Sequence, residues 1–154
     1  MNVSDQSLAN QLCFALYRAS RLYIKLYQQA LQPFALTYPQ YLVLRMLWEA
    51  DHQPLHTLGT QLDFGSNTLT PLLRRMEQRG WIQRRPVATD RRQLIIHLTD
   101  QGRQAQIPVS QAIQQLTSQQ QLSPTEGQLA LVENQAIIAD LQHLLAHQSF
   151  IKEK

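Results

Sequence analysis

The sequence predicts a mainly α-helical chain with one small β-hairpin. Three observations carry the prediction. Apolar residues recur at three- and four-residue spacing over most of the chain, they alternate in the strand manner only at Leu94–Leu98, and a polar, arginine-bearing loop joins that run to an apolar one at Trp81–Arg84. The 154 residues, 44% of them apolar, suit a single domain able to bury a core. Only 16% are charged, against about 25% in typical chains. Twenty-four glutamines cover much of the polar surface instead.

The elements follow in order. Leu8, Leu12, Ala15, Leu16, Ala19, Leu22, Leu26 and Ala30 lie on one face of a long helix over residues 6–31, which Pro33 ends. Thr37-Tyr38-Pro39-Gln40 opens the second helix with a capping box, and that helix runs to about Ala50. A short helix at Leu55–Leu62 meets a turn at Asp63-Phe64-Gly65, where Gly65 is available for a positive φ. Another helix starts near Ser66 and stops at Gly80, with Leu62, Leu69, Leu72, Leu73 and Met76 facing inward. Strands at Trp81–Arg84 and Leu94–Leu98 follow, the latter with Leu94, Ile96 and Leu98 on one side. Thr99 caps a glutamine-covered helix from Asp100 to about Gln119 that Pro108 should bend. Ser123-Pro124-Thr125-Glu126 is a second capping box, opening a last helix that carries Leu129, Val132, Ala136, Ile137, Leu141, Leu144 and Leu145.

Two helices joined by a tight turn, followed by a hairpin with a basic tip, make a winged helix-turn-helix. The expectation is one domain over residues 1–154, with the winged helix at 33–99. The helices at 6–31 and 100–147 carry more apolar surface than so small a core needs, which predicts a dimerisation layer.

Charge supports a polyanionic partner. Residues 66–103 hold eight arginines and three acidic residues, a local charge of +5 in a chain of net +3. Arginine forks suit bidentate contacts to phosphate and guanine. Ser66, Asn67, Thr68, Thr70 and Pro71 are the candidate base readers, and Arg74 and Arg75, two turns into the helix, are the candidate phosphate holders, either of which could instead contact a guanine. Arg84 at the end of the first strand and Arg85 at the start of the loop, with Asp90, Arg91 and Arg92 further along it at the wing, complete the set, Asp90 being placed to fix an arginine. A symmetric dimer would set two such helices roughly 34–36 Å apart and read an inverted repeat in double-stranded DNA.

No stretch of about 18 apolar residues exists to span a membrane. The start of the chain lacks the basic and apolar segments of a signal peptide, so a reducing cytoplasm is the expected compartment. A single cysteine, Cys13, cannot form an intrachain disulfide. Beside Leu12, Phe14 and Leu16 it sits where a cysteine usually serves as a small buried hydrophobe. Tyrosines suggest more. Tyr17 follows four residues on along the same face, while Tyr27 lies fourteen on, roughly 21 Å along a continuous helix. Tyr27 therefore reaches Cys13 only across an antiparallel dimer, where Tyr38 could join it. Phenol donors would stabilise a thiolate and raise its reactivity.

The runs Leu12-Cys13-Phe14-Ala15-Leu16-Tyr17, Thr37-Tyr38-Pro39-Gln40-Tyr41-Leu42, Leu47-Trp48-Glu49, Thr68 to Glu77 and Asp90-Arg91-Arg92 resemble the organic-hydroperoxide-sensing repressors (OhrR type) of the MarR family. The resemblance is close over about residues 8–103. It implies a dimeric winged-helix repressor whose reactive Cys13 is hydrogen-bonded by Tyr27 and Tyr38, with Tyr17 nearby, and it makes Arg92 the wing arginine. Gly65-Ser66-Asn67 departs from the family's Asp-Ser-Gly. In the implied mechanism, Cys13 is oxidised by an organic hydroperoxide to a sulfenic acid, which meets an external low-molecular-weight thiol, closes to a cyclic sulfenamide or overoxidises, and the operator is released. No cofactor is implied.

Three alternatives stand beside this reading: a repressor gated by a small aromatic ligand with Cys13 inert, a thiol peroxidase, and a metal sensor using Asp140, His143 and His147. The arginine wing argues against the peroxidase. His52 and His56 flank Pro54 rather than sharing a helix.

Overall fold

The computed structural model describes residue 8 and residues 11–87, 93–119 and 123–152, with side chains up to residue 147. The chain forms two compact units, Met1–Ser118 and Gln119–Lys154.

The first unit opens with helix α1 (Leu12–Leu31), shorter at its start than the sequence suggested; of residues 6–10 only Leu8 is described. A single 3-10 turn at Gln32–Phe34 contains Pro33, and Ala35 then takes a left-handed conformation (φ 52°) that reverses the chain. Helix α2 (Tyr38–Glu49) starts as expected, the Thr37 N–H donating to Gln40 Oε1 at 3.0 Å. Two-residue strand β1 (Gln53–Pro54) leads into α3 (Leu55–Leu62), then α4 (Ser66–Gln78), β2 (Ile82–Pro86) and β3 (Leu94–Leu98). Short α5 (Asp100–Gln104) and α6 (Gln106–Thr117) complete the unit.

Several expectations are corrected. In the α3–α4 turn the positive φ belongs to Asp63 (52°), whose short polar side chain tolerates the left-handed region, whereas Gly65 (φ −62°) is extended and serves as N-cap of α4. The hairpin is part of a three-stranded antiparallel sheet of order β1-β3-β2, with Gln53 opposite Ile96 on one side and Arg84 opposite Ile96 on the other. A two-residue strand ending in proline has no periodicity to reveal it, and its edge position suits a residue without an N–H. Strand β2 starts at Ile82 and extends to Pro86, leaving Trp81 as a buried residue at the bend before it. The helix predicted from Asp100 breaks at Ala105, three residues before Pro108. Proline lacks the N–H that would bond Gln104 O, and its ring crowds that carbonyl, so the ladder is interrupted on the N-terminal side of the proline.

The core lies where α2, α3 and α4 pack against one face of the sheet, and where α1 and α6 close over them. Val43, Leu44 and Leu47 of α2, Leu58 of α3, Leu69, Leu73 and Met76 of α4, and Ile82 and Ile96 of the sheet are almost wholly buried. Each such side chain contributes about 1.5–3 kcal/mol by leaving water. Gly80 (φ 77°) ends α4 in a Schellman turn, with Trp81 N–H donating to Met76 O at 3.0 Å and Gly80 N–H to Glu77 O at 2.9 Å.

The second unit is built on α7 (Pro124–Lys152), which runs five residues past the expected end. Its capping box forms: Ser123 N–H and Oγ donate to Glu126 Oε2 at 2.9 and 2.7 Å, bonds that lower the Glu126 pKa. Leu129, Leu131, Val132, Ile138, Leu141 and Leu144 are exposed along it. Among the described residues no helix is long and apolar enough to cross a membrane.

Candidate DNA interface and redox site

Helix α4 turns its Leu69-Leu72-Leu73-Met76 stripe into the core, and this fixes what faces outward. Ser66, Asn67, Thr68, Pro71, Arg74 and Arg75 are exposed and Thr70 is half-buried. Pro71, inside the helix, leaves the Asn67 carbonyl without its usual ladder donor. The outer face thus presents small polar groups in the first two turns and two guanidinium groups in the third. Nearby, Arg79 Nη1 donates to Ala35 O at 2.6 Å and ties the end of α4 to the α1–α2 connection.

The two strand arginines differ. Arg85 is exposed, its Nη2 donating to Gln83 Oε1 at 2.6 Å. Arg84, grouped with the DNA contacts on sequence grounds, forks instead onto Glu77, with Nη2 and Nε donating to Oε2 at 2.6 and 2.8 Å. Asp90, Arg91 and Arg92 lie outside the described residues. The sheet is anchored below by Asp51, whose Oδ1 accepts from Leu98 N–H at 2.9 Å and His52 N–H at 2.8 Å while Oδ2 accepts from Arg103 Nη2 at 2.8 Å. Burial pushes the Asp51 carboxyl up, but these bonds outweigh it and the net shift is downward.

Cys13 is exposed at the start of α1, not buried as a lone cysteine among apolar neighbours would be, and Tyr17 is exposed one turn on. Helix α1 is unbroken, so Tyr27 sits roughly 21 Å along the axis from Cys13 of its own chain. At that far end the structure brings Tyr27 and Tyr38 together edge to face, ring centroids 5.3 Å apart. Sequence reasoning missed two members of the cluster. Tyr41 lies 5.8 Å from Tyr27 and 6.2 Å from Tyr38, and Trp48 lies 6.4 Å from Tyr41. The signal was present in the spacing, since positions 38, 41 and 48 fall on one face of a 3.6-residue helix. Burial raises the pKa values of Tyr27, Tyr38 and Tyr41, with mutual repulsion adding to the first, so all three phenols stay protonated donors at neutral pH.

His143 and His147 of α7 meet edge to face at 4.3 Å. Among the described residues no three His, Cys, Asp or Glu side chains form a metal-binding group.

Comparison with known proteins agrees with this geometry. The sequence pattern of the MarR family matches residues 36–94. The chain is 47% identical over 95 residues to the organic hydroperoxide resistance transcriptional regulator of Bacillus subtilis (strain 168), a match covering 62% of this chain and 65% of that one. It is 47% identical over 98 residues to the HTH-type transcriptional regulator TtmR of Methylorubrum extorquens (strain PA1), covering 64% of this chain and 50% of that one. The chain thus spans between half and just under two thirds of the length of these two relatives. Among solved structures, reduced AbfR bound to DNA superposes with a TM-score of 0.83 at 43% identity, covering 94% of this chain and 99% of that one. Overoxidized AbfR bound to DNA gives 0.77 at 44%, covering 92% and 99%. With this likeness extending over nearly the whole of both chains, the chain belongs to the MarR family.

Proposed function

We propose that the chain is a homodimeric, cytoplasmic transcriptional repressor that binds an inverted-repeat operator and senses organic hydroperoxides through Cys13. On DNA, Ser66, Asn67, Thr68, Thr70 and Pro71 read base edges from the major groove and Arg74 and Arg75 hold phosphates. Arg85, with Asp90, Arg91 and Arg92, serves the wing, while Arg84 fixes the angle of the hairpin through Glu77 rather than touching phosphate. The exposed apolar residues of α1, such as Leu12 and Leu22 at 60% and 62% exposure, and those of α7 support pairing with a second copy.

One observation carries the sensing half: an exposed thiol at one end of α1 and a group of half-buried, protonated phenols at the other end. When two α1 helices lie antiparallel, each thiol faces the other copy's phenols. Tyr27 and Tyr38, with Tyr17 beside them, then donate to the thiolate. The thiolate attacks the O–O bond of the hydroperoxide, taking one oxygen as a sulfenic acid. The remaining alkoxide picks up a proton and leaves as an alcohol. With no second cysteine in the chain, an external low-molecular-weight thiol condenses with the sulfenic acid, giving a mixed disulfide and water. AbfR carries DNA even when overoxidized, which favours the bulkier mixed disulfide over a sulfonic acid as the releasing form here.

The half-buried cluster of Tyr27, Tyr38, Tyr41 and Trp48 favours one other reading, a repressor gated by an aromatic ligand stacked there, with Cys13 inert. Gel-shift titration on the promoter region of the host, with cumene hydroperoxide and a small thiol, separates the two. Release by wild type and retention by Cys13→Ser is the expected result. Release by both proteins would remove Cys13 from the mechanism.

A further inference from the structure

The aromatic cluster does not end inside α2. Its last ring, Trp48, donates from Nε1 to the carbonyl oxygen of Gly102 in α5 at 2.8 Å, across 54 residues of sequence. Gly102 is the point where α5 presses on the chain beneath it. It is buried, and a Cβ there would collide with the carbonyl oxygen of Trp81 and crowd Leu98 Cδ2 at 3.1 Å. Its N–H donates to Thr99 Oγ1 at 3.1 Å, and that hydroxyl donates in turn to Gly80 O at 2.5 Å, while Thr99 N–H donates to Trp81 O at 3.2 Å. Gly80 and Trp81, after the C-cap Arg79, lead from the end of α4 into the start of the wing. Among the described residues, the Trp48–Gly102 hydrogen bond therefore joins the phenol cluster to the junction where α4, the wing and α5 meet.

We propose that Trp48 is a positioning residue that couples the state of the phenol cluster to the DNA-binding half. The inference rests on the sensing reading above. Tyr27 touches Tyr38 and Tyr41, and Tyr41 touches Trp48, so displacement of the phenols by a modified Cys13 shifts a ring whose other end holds α5. Packed rings have discrete arrangements rather than a continuous range, so the shift reaches Gly102 as a made or broken bond. Close packing around Gly102 leaves α5 no room to absorb the movement, and the wing base moves with it.

Trp48→Phe keeps a ring against Tyr41 and removes the donor. Three readouts are compared with wild type: the rate of sulfenic acid trapping at Cys13, operator affinity of the reduced protein, and the loss of affinity on treatment with cumene hydroperoxide and a small thiol. The expected result is unchanged trapping, a reduced-state affinity already lowered toward that of the oxidised wild type, and a further oxidative loss, about tenfold or more in wild type, of only a few-fold. Trp48→Phe protein that releases DNA as completely as wild type would overturn the coupling and leave the sensing reading standing. Wild type that keeps its DNA after Cys13 is modified would overturn both. Independently of any variant, the chain has two tryptophans, so its NMR spectrum holds two indole N–H signals. Oxidation is expected to shift the Trp48 signal and speed its solvent exchange; a Trp48 signal unchanged in an oxidised protein that has lost its DNA would also overturn the coupling.

Discussion

Glu77 and Arg84 lock the end of α4 to β2, the first strand of the wing. The carboxylate accepts from Arg84 Nη2 at 2.6 Å, from Nε at 2.8 Å and from the Arg84 backbone N–H at 2.8 Å. The pair is partly screened, the two side chains being 33% and 21% exposed. Burial pushes the Glu77 carboxyl up, but Arg84's side-chain and backbone bonds and its charge pull the net value below the ordinary 4.5. A carboxyl whose folded pKa is depressed stabilises the fold above its unfolded pKa, and that contribution is lost as pH falls through the folded value. Glu77→Gln is expected to cost about 1 kcal/mol at pH 7 and much less near pH 3, by urea denaturation at the two pH values. Equal stability of variant and wild type at pH 7 would show that the fork contributes nothing.

Gly102→Ala tests how tightly α5 sits on the wing base. The added Cβ meets the backbone carbonyl of Trp81, which no side-chain rotation can move aside. The substitution is expected to destabilise the chain by about 2 kcal/mol or more and to weaken operator binding, read by thermal unfolding and gel shift. Melting within a degree of wild type would mean that α5 can shift freely.

Arg74→Ala tests whether the exposed third turn of α4 holds phosphate. Affinity should fall by a similar factor on every operator sequence, and the slope of log K against log salt should flatten by about one. Loss confined to particular base pairs would mark Arg74 as a base reader.

Much of this chain was legible in its sequence, for definable reasons. A capping box located the start of α2, a 3.6-residue apolar period located α4, and alternation located β3. What escaped had no local signature. Strand β1 is two residues long and exists because β3 offers an edge beside it. The positive φ at Asp63 was assigned to the glycine two residues on because both residue types serve such turns. Arg84 was grouped with its neighbours because charge counting cannot see that Glu77, seven residues earlier, lies within reach. Tyr41 and Trp48 were visible as an α2 face, but the hydrogen bond from that face to Gly102 is a product of tertiary packing.

The central claim is that Cys13 of one copy lies against Tyr27 of another, and a disulfide ruler measures it directly. In Tyr27→Cys protein the two thiols of one chain are fourteen residues apart on an unbroken helix, roughly 21 Å along the axis, beyond the reach of a disulfide. Mild oxidation with diamide should give a covalent dimer on a non-reducing gel, absent when the same substitution is made in a Cys13→Ser background. A chain that stays monomeric on the gel, or a dimer that persists without Cys13, would contradict the account.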